Sequence, residues 1–155
     1  MRTIPVRARW RSAWLLVAAL LLLAGCASVA LAPPAEDVKA KSMEAPAGKA
    51  LIYIYRNETM GAAVKMNVMF NGKLLGQTAS ETYFLVATPP GKVTVTSLAE
   101  NTSELSLDVS AGKKYYVWQE VKMGTWSAGS ALSEKSATEG MKGVNECKLI
   151  QYVEM

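Results

Sequence analysis

Short alternating segments separated by turn residues dominate the second half of this chain and restrict it to a β fold. Apolar residues alternate with threonines in residues 92–98 and with Glu104, Ser106 and Asp108 in residues 104–109. A period of two places every second side chain on the same face of a strand. The pattern therefore predicts strands with one buried and one hydrated face. Lys113–Lys122 carries apolar or aromatic residues on both faces, which predicts a central strand.

A tight hairpin is predicted where the alternating residues 64–70 meet Asn71-Gly72. Asn-Gly favours a two-residue type I′ turn, because both central residues need a positive φ. That loop sets the pairing of the two arms. The expected pairs are Phe70 with Lys73, Met69 with Leu74, and Val68 with Leu75. Val64, Met66, Val68, Phe70 and Leu75 would then face inward, and Met69 and Leu74 would share the other face.

The remaining segments complete the predicted fold. Residues 50–55 are apolar on both faces, residues 82–87 form a short strand before Pro89, and residues 149–153 are a candidate closing strand. Ser136 and Glu139 fit a capping box that opens a short helix over residues 137–147. The expected fold is mainly β, an antiparallel β-sandwich (or a small barrel) of about seven or eight strands with one short C-terminal helix.

The N-terminus has the layout of a secretory signal peptide. Residues 1–12 contain four arginines and no acid, and the apolar run of residues 13–23 is shorter than the ~20 residues that a membrane-spanning helix needs. The sequence Leu23-Ala24-Gly25-Cys26 resembles the lipobox of bacterial lipoproteins. The resemblance implies cleavage between Gly25 and Cys26, acylation of Cys26 and attachment to membrane lipid. In a host with two membranes, Ala27 in place of Asp implies the periplasmic face of the outer membrane.

Three regions follow from this layout: a signal peptide at 1–25, a lipidated cysteine with a disordered linker at 26–48, and the sandwich at 49–155. The linker is rich in Ala, Pro, Lys and Glu, and a coil of this length would span roughly 25–30 Å. Removing the four signal-peptide arginines from the 17 basic residues leaves 13, which balance the 13 acidic residues. This balance argues against nucleic acid as a partner.

Several segments of the predicted sandwich resemble one bacterial family. They are Ala50–Arg56, the Asn71-Gly72 hairpin, Pro90-Gly91 before an alternating strand, and Ala111–Val117 with its Gly-Lys-Lys-Tyr-Tyr sequence. Together they resemble the lipoproteins of the Domain of Unknown Function 2846 family over roughly residues 48–150. The turn-and-strand passage is also similar to PEGA-type surface β-sandwich modules. Neither resemblance implies a catalytic residue or a cofactor.

Ordinary catalytic chemistry has little support in the sequence. The chain has no histidine, which excludes Ser-His and Cys-His nucleophile pairs and imidazole metal ligands. Cys147 lacks a motif and is expected to be buried, with an intermolecular disulfide as the alternative. Glu104 and Asp108 are explained as hydrated positions of one strand. The methionines fit core packing better than a copper(I) site. We therefore expect no metal site and no cofactor.

Aromatic residues are the remaining candidates for recognition. Two interpretations are open for Tyr53, Tyr55, Tyr116, Trp118 and Trp126: they form a recognition surface, or they pack between the sheets and under the helix. Of these, Trp126, Tyr116 and Trp118 are the candidate contacts for an envelope protein or a glycan. The first hypothesis is a non-enzymatic, membrane-anchored envelope module that binds a partner or has a structural role. The alternative is a small-ligand carrier or a hydrolase that uses carboxylates and tyrosines in a cleft. A concave pocket with convergent ionisable groups would favour the alternative.

Overall fold

The computed structural model describes residues 27–123 and 128–151. Two helices and nine strands make up this part of the chain. The helices are α1 (Pro34–Ser42) and α2 (Ala137–Asn145). The strands are β1 (Ala50–Arg56), β2 (Met66–Phe70), β3 (Lys73–Thr78), β4 (Thr82–Thr88), β5 (Gly91–Leu98), β6 (Thr102–Val109), β7 (Lys114–Met123), β8 (Ala128–Lys135) and β9 (Lys148–Leu149).

The strands form two stacked sheets, which confirms the mainly β, two-sheet prediction. The larger sheet has the order β8-β7-β1-β4-β9 and the smaller one β3-β2-β5-β6. The prediction of purely antiparallel pairing is wrong for the larger sheet, because β7 runs parallel to β1 and β9 runs parallel to β4. β1 and β7 lie far apart in the sequence. The alternation of residues within a strand does not determine whether two such strands pair in parallel or antiparallel.

Strand β1 is buried on both faces, as its sequence predicts. Its inward side chains, such as Ile52 and Ile54, pack between the sheets with Val68, Phe84 and Val95. Its outward side chains, Leu51, Tyr53 and Tyr55, pack beneath the two helices. The domain therefore has a helix layer, a mixed sheet and an antiparallel sheet, with one apolar core on each side of the mixed sheet.

The predicted hairpin is confirmed at its turn and shifts by one residue beyond it. Asn71 and Gly72 both have positive φ, at 48° and 78°. Phe70 pairs with Lys73 and Met69 with Leu74, but Val68 pairs with Gly76 because the register shifts at this point. The extra residue is a β-bulge, which sends Leu75 toward the inter-sheet core and leaves Leu74 exposed.

The prediction of a disordered linker is wrong for the described part of residues 26–48. Residues 34–42 form helix α1, with Pro34 in its first turn, acidic Glu36 and Asp37 near its start and Lys41 near its end. Proline at the first position and this order of charges stabilise a helix. Upstream, Leu31 forms an antiparallel bridge with Ile150. Ala40 packs this segment against the sandwich, in the apolar core between the helices and the mixed sheet, which we call the outer core.

Helix α2 confirms the predicted helix and its capping box. The Ser136 side chain accepts a hydrogen bond from the Glu139 amide, and its hydroxyl donates to the Glu139 carboxylate at 2.6 Å. The helix lies so close to the sheet that a Cβ added at Gly140 would overlap Tyr116, and one added at Gly143 would overlap Tyr55. The two glycines, which weaken an isolated helix, thus permit this contact.

Strand β8 is not predicted from the sequence, because its residues are mostly small or polar and are typical of a loop. It pairs with β7 through eight residue pairs. Along the other edge of β8, side chains from β6 and from the turn before β6 form hydrogen bonds with the backbone of β8. Asn101 accepts from the Ser130 amide at 2.7 Å and donates to the Ser130 carbonyl, and Ser103 accepts from the Leu132 amide at 3.0 Å. These contacts close the sandwich along one edge.

Within residues 27–123 and 128–151, no helix has the length and apolar character needed to cross a bilayer. The segment predicted as a signal peptide, with Gly25 and Cys26, lies outside these residues.

Candidate functional site

The junction between α1 and the sandwich concentrates ionisable side chains around Asp37. One carboxylate oxygen accepts hydrogen bonds from the Tyr83 hydroxyl and the Leu149 amide, both at 2.9 Å. The other oxygen accepts from Lys41 Nζ at 2.8 Å, and this ammonium also donates to the Cys147 carbonyl at 2.6 Å. Burial alone would raise the pKa of Asp37, but the hydrogen bonds from Lys41 and Tyr83 outweigh it and the pKa lies below its ordinary value.

A layer of tyrosines lies beneath this carboxylate. The rings of Tyr53 and Tyr116 stack with centroids 5.1 Å apart and planes 13° apart, and Tyr83 lies 6.1 Å from Tyr53. The Tyr53 hydroxyl donates to the Ala40 carbonyl at 2.7 Å. Burial raises the pKa of Tyr53 to about 12, and burial together with Asp37 raises the pKa of Tyr83. These phenols are neutral hydrogen-bond donors that attach α1 to the sheet.

Cys147 packs in the outer core beside the junction of α1 and the sandwich, and it is buried, as predicted. Burial raises the pKa of its thiol to about 12, an effect that nearby Lys41 only partly offsets. A thiol needs a lowered pKa to act as a nucleophile near neutral pH. Cys147 is therefore a small apolar core residue with the other members of the outer core.

Two cavities border the docked N-terminal segment. The first has a volume of about 330 Å³ and lies between α1, Leu85 and the C-terminal residues Leu149–Gln151, with Glu36 and Lys39 among its lining side chains. The second, of about 310 Å³, lies beside residues 28–30. Its further lining includes Lys65, Leu75 and Gln77, and Ile150 and Gln151 line both cavities. The first is large enough for a small amphiphilic molecule.

Arg56 is a further buried group, and sequence reasoning missed it. Its side chain is fully buried at the end of β1 and donates to the carbonyl groups of Val64 at 2.8 Å, Gly61 at 2.7 Å and Met60 at 3.3 Å. Burial lowers the pKa of Arg56, although Glu58 partly opposes this effect. The guanidinium folds residues 57–65 into a compact loop. The signal was present in the sequence, since Arg56 directly continues an otherwise apolar strand.

The predicted recognition residues differ in their exposure to solvent. Tyr116 is 2% exposed and lies under α2, so its prediction as a surface contact is wrong: its position on β7 faces the helix layer. Tyr53 and Tyr55 are likewise core residues. Trp118 is half-buried, with Lys135 Nζ 4.5 Å from its ring centroid. Trp126 lies outside the described residues.

The predicted hydrated positions are confirmed, since Glu104 and Asp108 are both exposed on β6. Of the methionines, Met66 is fully buried, whereas Met60 and Met123 are exposed. The described ranges contain no group of three or more His, Cys, Asp or Glu side chains placed to hold a metal ion.

The comparison with known proteins decides the family. A family model described as "Protein of unknown function (DUF2846)" matches residues 46–131, which is more than half of the chain. The chain belongs to this family. The match begins just before β1 and ends within β8, so it covers the smaller sheet and most of the larger one but leaves out β9 and both helices. The similarity to PEGA-type modules stays a prediction.

A relative in Haemophilus influenzae (strain Rd) extends the family comparison. It is 29% identical over 136 residues, which cover 86% of this chain and 81% of the relative. This relative carries the name "Uncharacterized protein". Neither the family description nor the name of this relative assigns an activity.

Proposed function

We propose that this member of the family is a lipoprotein of the bacterial cell envelope, anchored through acylated Cys26, whose sandwich is a non-catalytic binding or structural module. The anchor is supported by the Leu23–Cys26 sequence and the basic and apolar segments before it. In a host with two membranes, Ala27 favours the periplasmic face of the outer membrane.

The commitment of Asp37 to the docking of α1 is the observation that carries the non-catalytic role. General acid–base catalysis requires a proton or a lone pair that can face a substrate. Both oxygens of Asp37 instead accept from protein donors, and Lys41 and Tyr83 are among those donors. Cys147 is buried with a raised pKa. Asp37, Lys41 and Tyr83 resemble a catalytic cluster in composition, but their hydrogen bonds hold α1 against the sandwich. We call this set of contacts the latch.

The anchor is tested by membrane fractionation. We expect the full chain to be found in the membrane fraction and to gain the mass of acyl groups at Cys26. A Cys26→Ala variant carried on a non-lipoprotein signal peptide is expected to be released as a soluble protein. The matched control is Cys147→Ala, which keeps the first cysteine and is expected to stay in membranes. Retention of the Cys26→Ala variant would refute the anchor.

The binding role is tested by photocrosslinking in the native envelope. A photoreactive residue at Trp126 or Trp118 is expected to give a discrete adduct with an envelope component, and one at exposed Asp108 serves as the control. An adduct pattern that is the same at all three positions would argue against a specific recognition surface.

The small-ligand carrier is the second candidate, and the cavity beside α1 favours it. That cavity combines an apolar wall, including Leu85 and Leu149, with Glu36 and Lys39. Native mass spectrometry of protein extracted from membranes would detect a bound amphiphile as added mass. Ala32→Trp, which fills the cavity wall, would remove that mass if the cavity is the binding site.

A further inference from the structure

The N-terminal segment is bonded to the sandwich from its first described residue. The Ala27 amide donates to the Ala62 carbonyl at 3.1 Å, the Ala32 amide donates to the Leu149 carbonyl at 2.9 Å, and the Gln151 amide donates to the Ala30 carbonyl at 2.9 Å. Cys26 directly precedes Ala27 in the sequence. The segment therefore supplies no spacer between Cys26 and the domain.

The partner of Ala27 belongs to the loop of residues 57–65, which we call the anchor loop. Arg56 bonds to three of its carbonyl groups. Two turns add to its rigidity, since the Ala62 amide donates to Thr59 and the Val64 amide donates to Gly61. A lipid attached at Cys26 would thus be placed beside a rigid surface rather than a mobile one.

Strand directions place a second apolar residue at the same end of the sandwich. β1 ends at Arg56, and β7 runs parallel to it and ends at Met123. Near that end the Val121 amide donates to Glu58 of the anchor loop at 2.6 Å. Met60 is 54% exposed and Met123 is 87% exposed, so this end presents two large apolar side chains to solvent.

The charges at this end are mixed. Lys65 is exposed, Lys122 pairs with Glu120 at 2.6 Å, Glu81 is exposed, and the Glu58 carboxylate accepts from the backbone. A surface of this kind has little preference for anionic lipid and relies on its apolar side chains and on the covalent anchor.

We propose that the anchor loop, together with Met123, is the membrane-contacting surface of the domain, held against a phospholipid bilayer by the docked segment that follows Cys26. The inference rests on the proposed acylation of Cys26. Met60 and Met123 enter the headgroup region, and the Asn71-Gly72 hairpin, at the other end of β2, lies farther from the membrane. The domain thus has one fixed orientation on the bilayer.

Lipid-dependent quenching tests this orientation on the full acylated chain. Met60→Cys and Leu74→Cys form a matched pair, because the two native side chains are similarly exposed, at 54% and 58%, and lie at opposite ends of β2 and its hairpin. Each is labelled with an environment-sensitive fluorophore, and the unsubstituted chain measures any labelling of Cys147. The proteins are reconstituted in vesicles of phosphatidylethanolamine and phosphatidylglycerol that contain a nitroxide lipid.

We expect at least threefold stronger quenching at position 60 than at position 74, with Met123→Cys behaving like position 60. Equal quenching at positions 60 and 74 in protein that floats with the vesicles would overturn the orientation and leave the anchor intact. Protein that fails to float and lacks acyl mass at Cys26 would overturn both proposals.

A flexible spacer inserted after Cys26 tests whether the docked segment, rather than attachment to lipid alone, sets the orientation of the domain. Insertion of 20 Gly/Ser residues between Cys26 and Ala27 keeps the anchor and the folded domain but allows the domain to leave the bilayer. Quenching at position 60 is expected to fall to the level of position 74 while flotation persists. Unchanged quenching would show that docking of the segment does not set the orientation, which contradicts the proposal.

Discussion

Asp37 lies in the first turn of α1 and joins three parts of the chain that are distant in sequence. Its carboxylate receives Lys41 from its own helix, Tyr83 from β4 and the Leu149 amide from β9. Hydrogen bonds to a charged acceptor are stronger than neutral ones, and loss of the acceptor leaves half-buried donors unpaired. One side chain thus links the docking of α1 to the edge of the mixed sheet.

The Asp37→Asn variant is expected to lower the free energy of unfolding by about 2 kcal/mol, because an amide offers one acceptor oxygen to a site with three donors. Urea unfolding measures the change. Glu36→Gln is the control, since Glu36 is exposed in the same helical turn. Limited trypsin cleavage after Lys39 is expected to accelerate only in the Asp37 variant. Equal stability of the two variants would contradict the latch.

The contribution of Asp37 to the free energy of unfolding is expected to be lost at acidic pH. Its folded pKa lies below the unfolded value of 3.8, so its stabilisation is fully present above about pH 4 and is lost as the pH falls through the folded pKa. The difference in stability between the wild type and Asp37→Asn is therefore expected to be constant from pH 5 to 7 and to shrink below pH 4. A difference that stayed constant down to pH 2 would show that the charge is not responsible.

Cys147 is expected to weaken the fold at alkaline pH. Its pKa is raised from 9.0 to about 12, so the unfolded chain releases the thiol proton at lower pH than the folded one. The associated stability is present below pH 9 and is lost as the pH rises toward 12. Between pH 8 and 10 the wild type should lose about 1 kcal/mol more than Cys147→Ala. Equal losses, measured by urea unfolding at both pH values, would argue that the thiol is accessible and ionised in the native state.

At the scale of elements, α2 shows tertiary contact overriding local preference. Gly140 and Gly143 each disfavour a helix by ~1 kcal/mol relative to alanine. A side chain at either position would overlap a buried tyrosine of the mixed sheet. The helix is therefore held by the capping box at its start and by close packing along its length.

Gly143→Ala is expected to destabilise the protein by about 1–3 kcal/mol, although it raises helix propensity, because the new methyl group overlaps the ring of Tyr55. Lys142→Ala, an exposed change in the same turn, should have an effect below about 0.5 kcal/mol. Thermal unfolding followed by circular dichroism measures both. Stabilisation by Gly143→Ala would mean that α2 does not approach β1 this closely.

At the scale of the whole molecule, a chain of buried polar groups connects the two sheets. The Thr78 hydroxyl donates to Gln119 at 2.6 Å, Gln119 donates to Ser97 at 2.6 Å, and Ser130 lies 2.8 Å from Ser97. The four residues alternate between the smaller and the larger sheet. Because each has a partner, the group can fix how the sheets stack without leaving an unsatisfied polar atom.

Gln119→Leu removes the central member of this chain, and Thr78 and Ser97 each lose one buried hydrogen-bond partner. We expect a loss of about 2–3 kcal/mol in the free energy of unfolding. Ser106→Ala, on the exposed face of β6, is the control and should be close to neutral. A Gln119→Leu variant as stable as the wild type would show that the remaining hydroxyl groups repair the network among themselves.

The sequence by itself determined the features that depend on neighbours along the chain. The alternation of β5 and β6 encodes their inner and outer faces, Asn71-Gly72 encodes a turn with two positive φ values, and Ser136 with Glu139 encodes the start of α2. Each signal acts over at most a few residues, where steric limits and local hydrogen bonds dominate. The burial of Cys147 also followed, since an unpaired thiol behaves as a small apolar group.

Tertiary structure alone decided the features that depend on distant partners. The parallel pairing of β1 with β7 joins segments about sixty residues apart, and β8 is a strand because β7, Asn101 and Ser103 satisfy its backbone. Residues 34–42 carry local helix signals, but Tyr83 and Leu149 are what turn them from an expected linker into a docked helix. Local sequence carries no record of these partners, because their free energy is gained only when the whole sandwich has assembled.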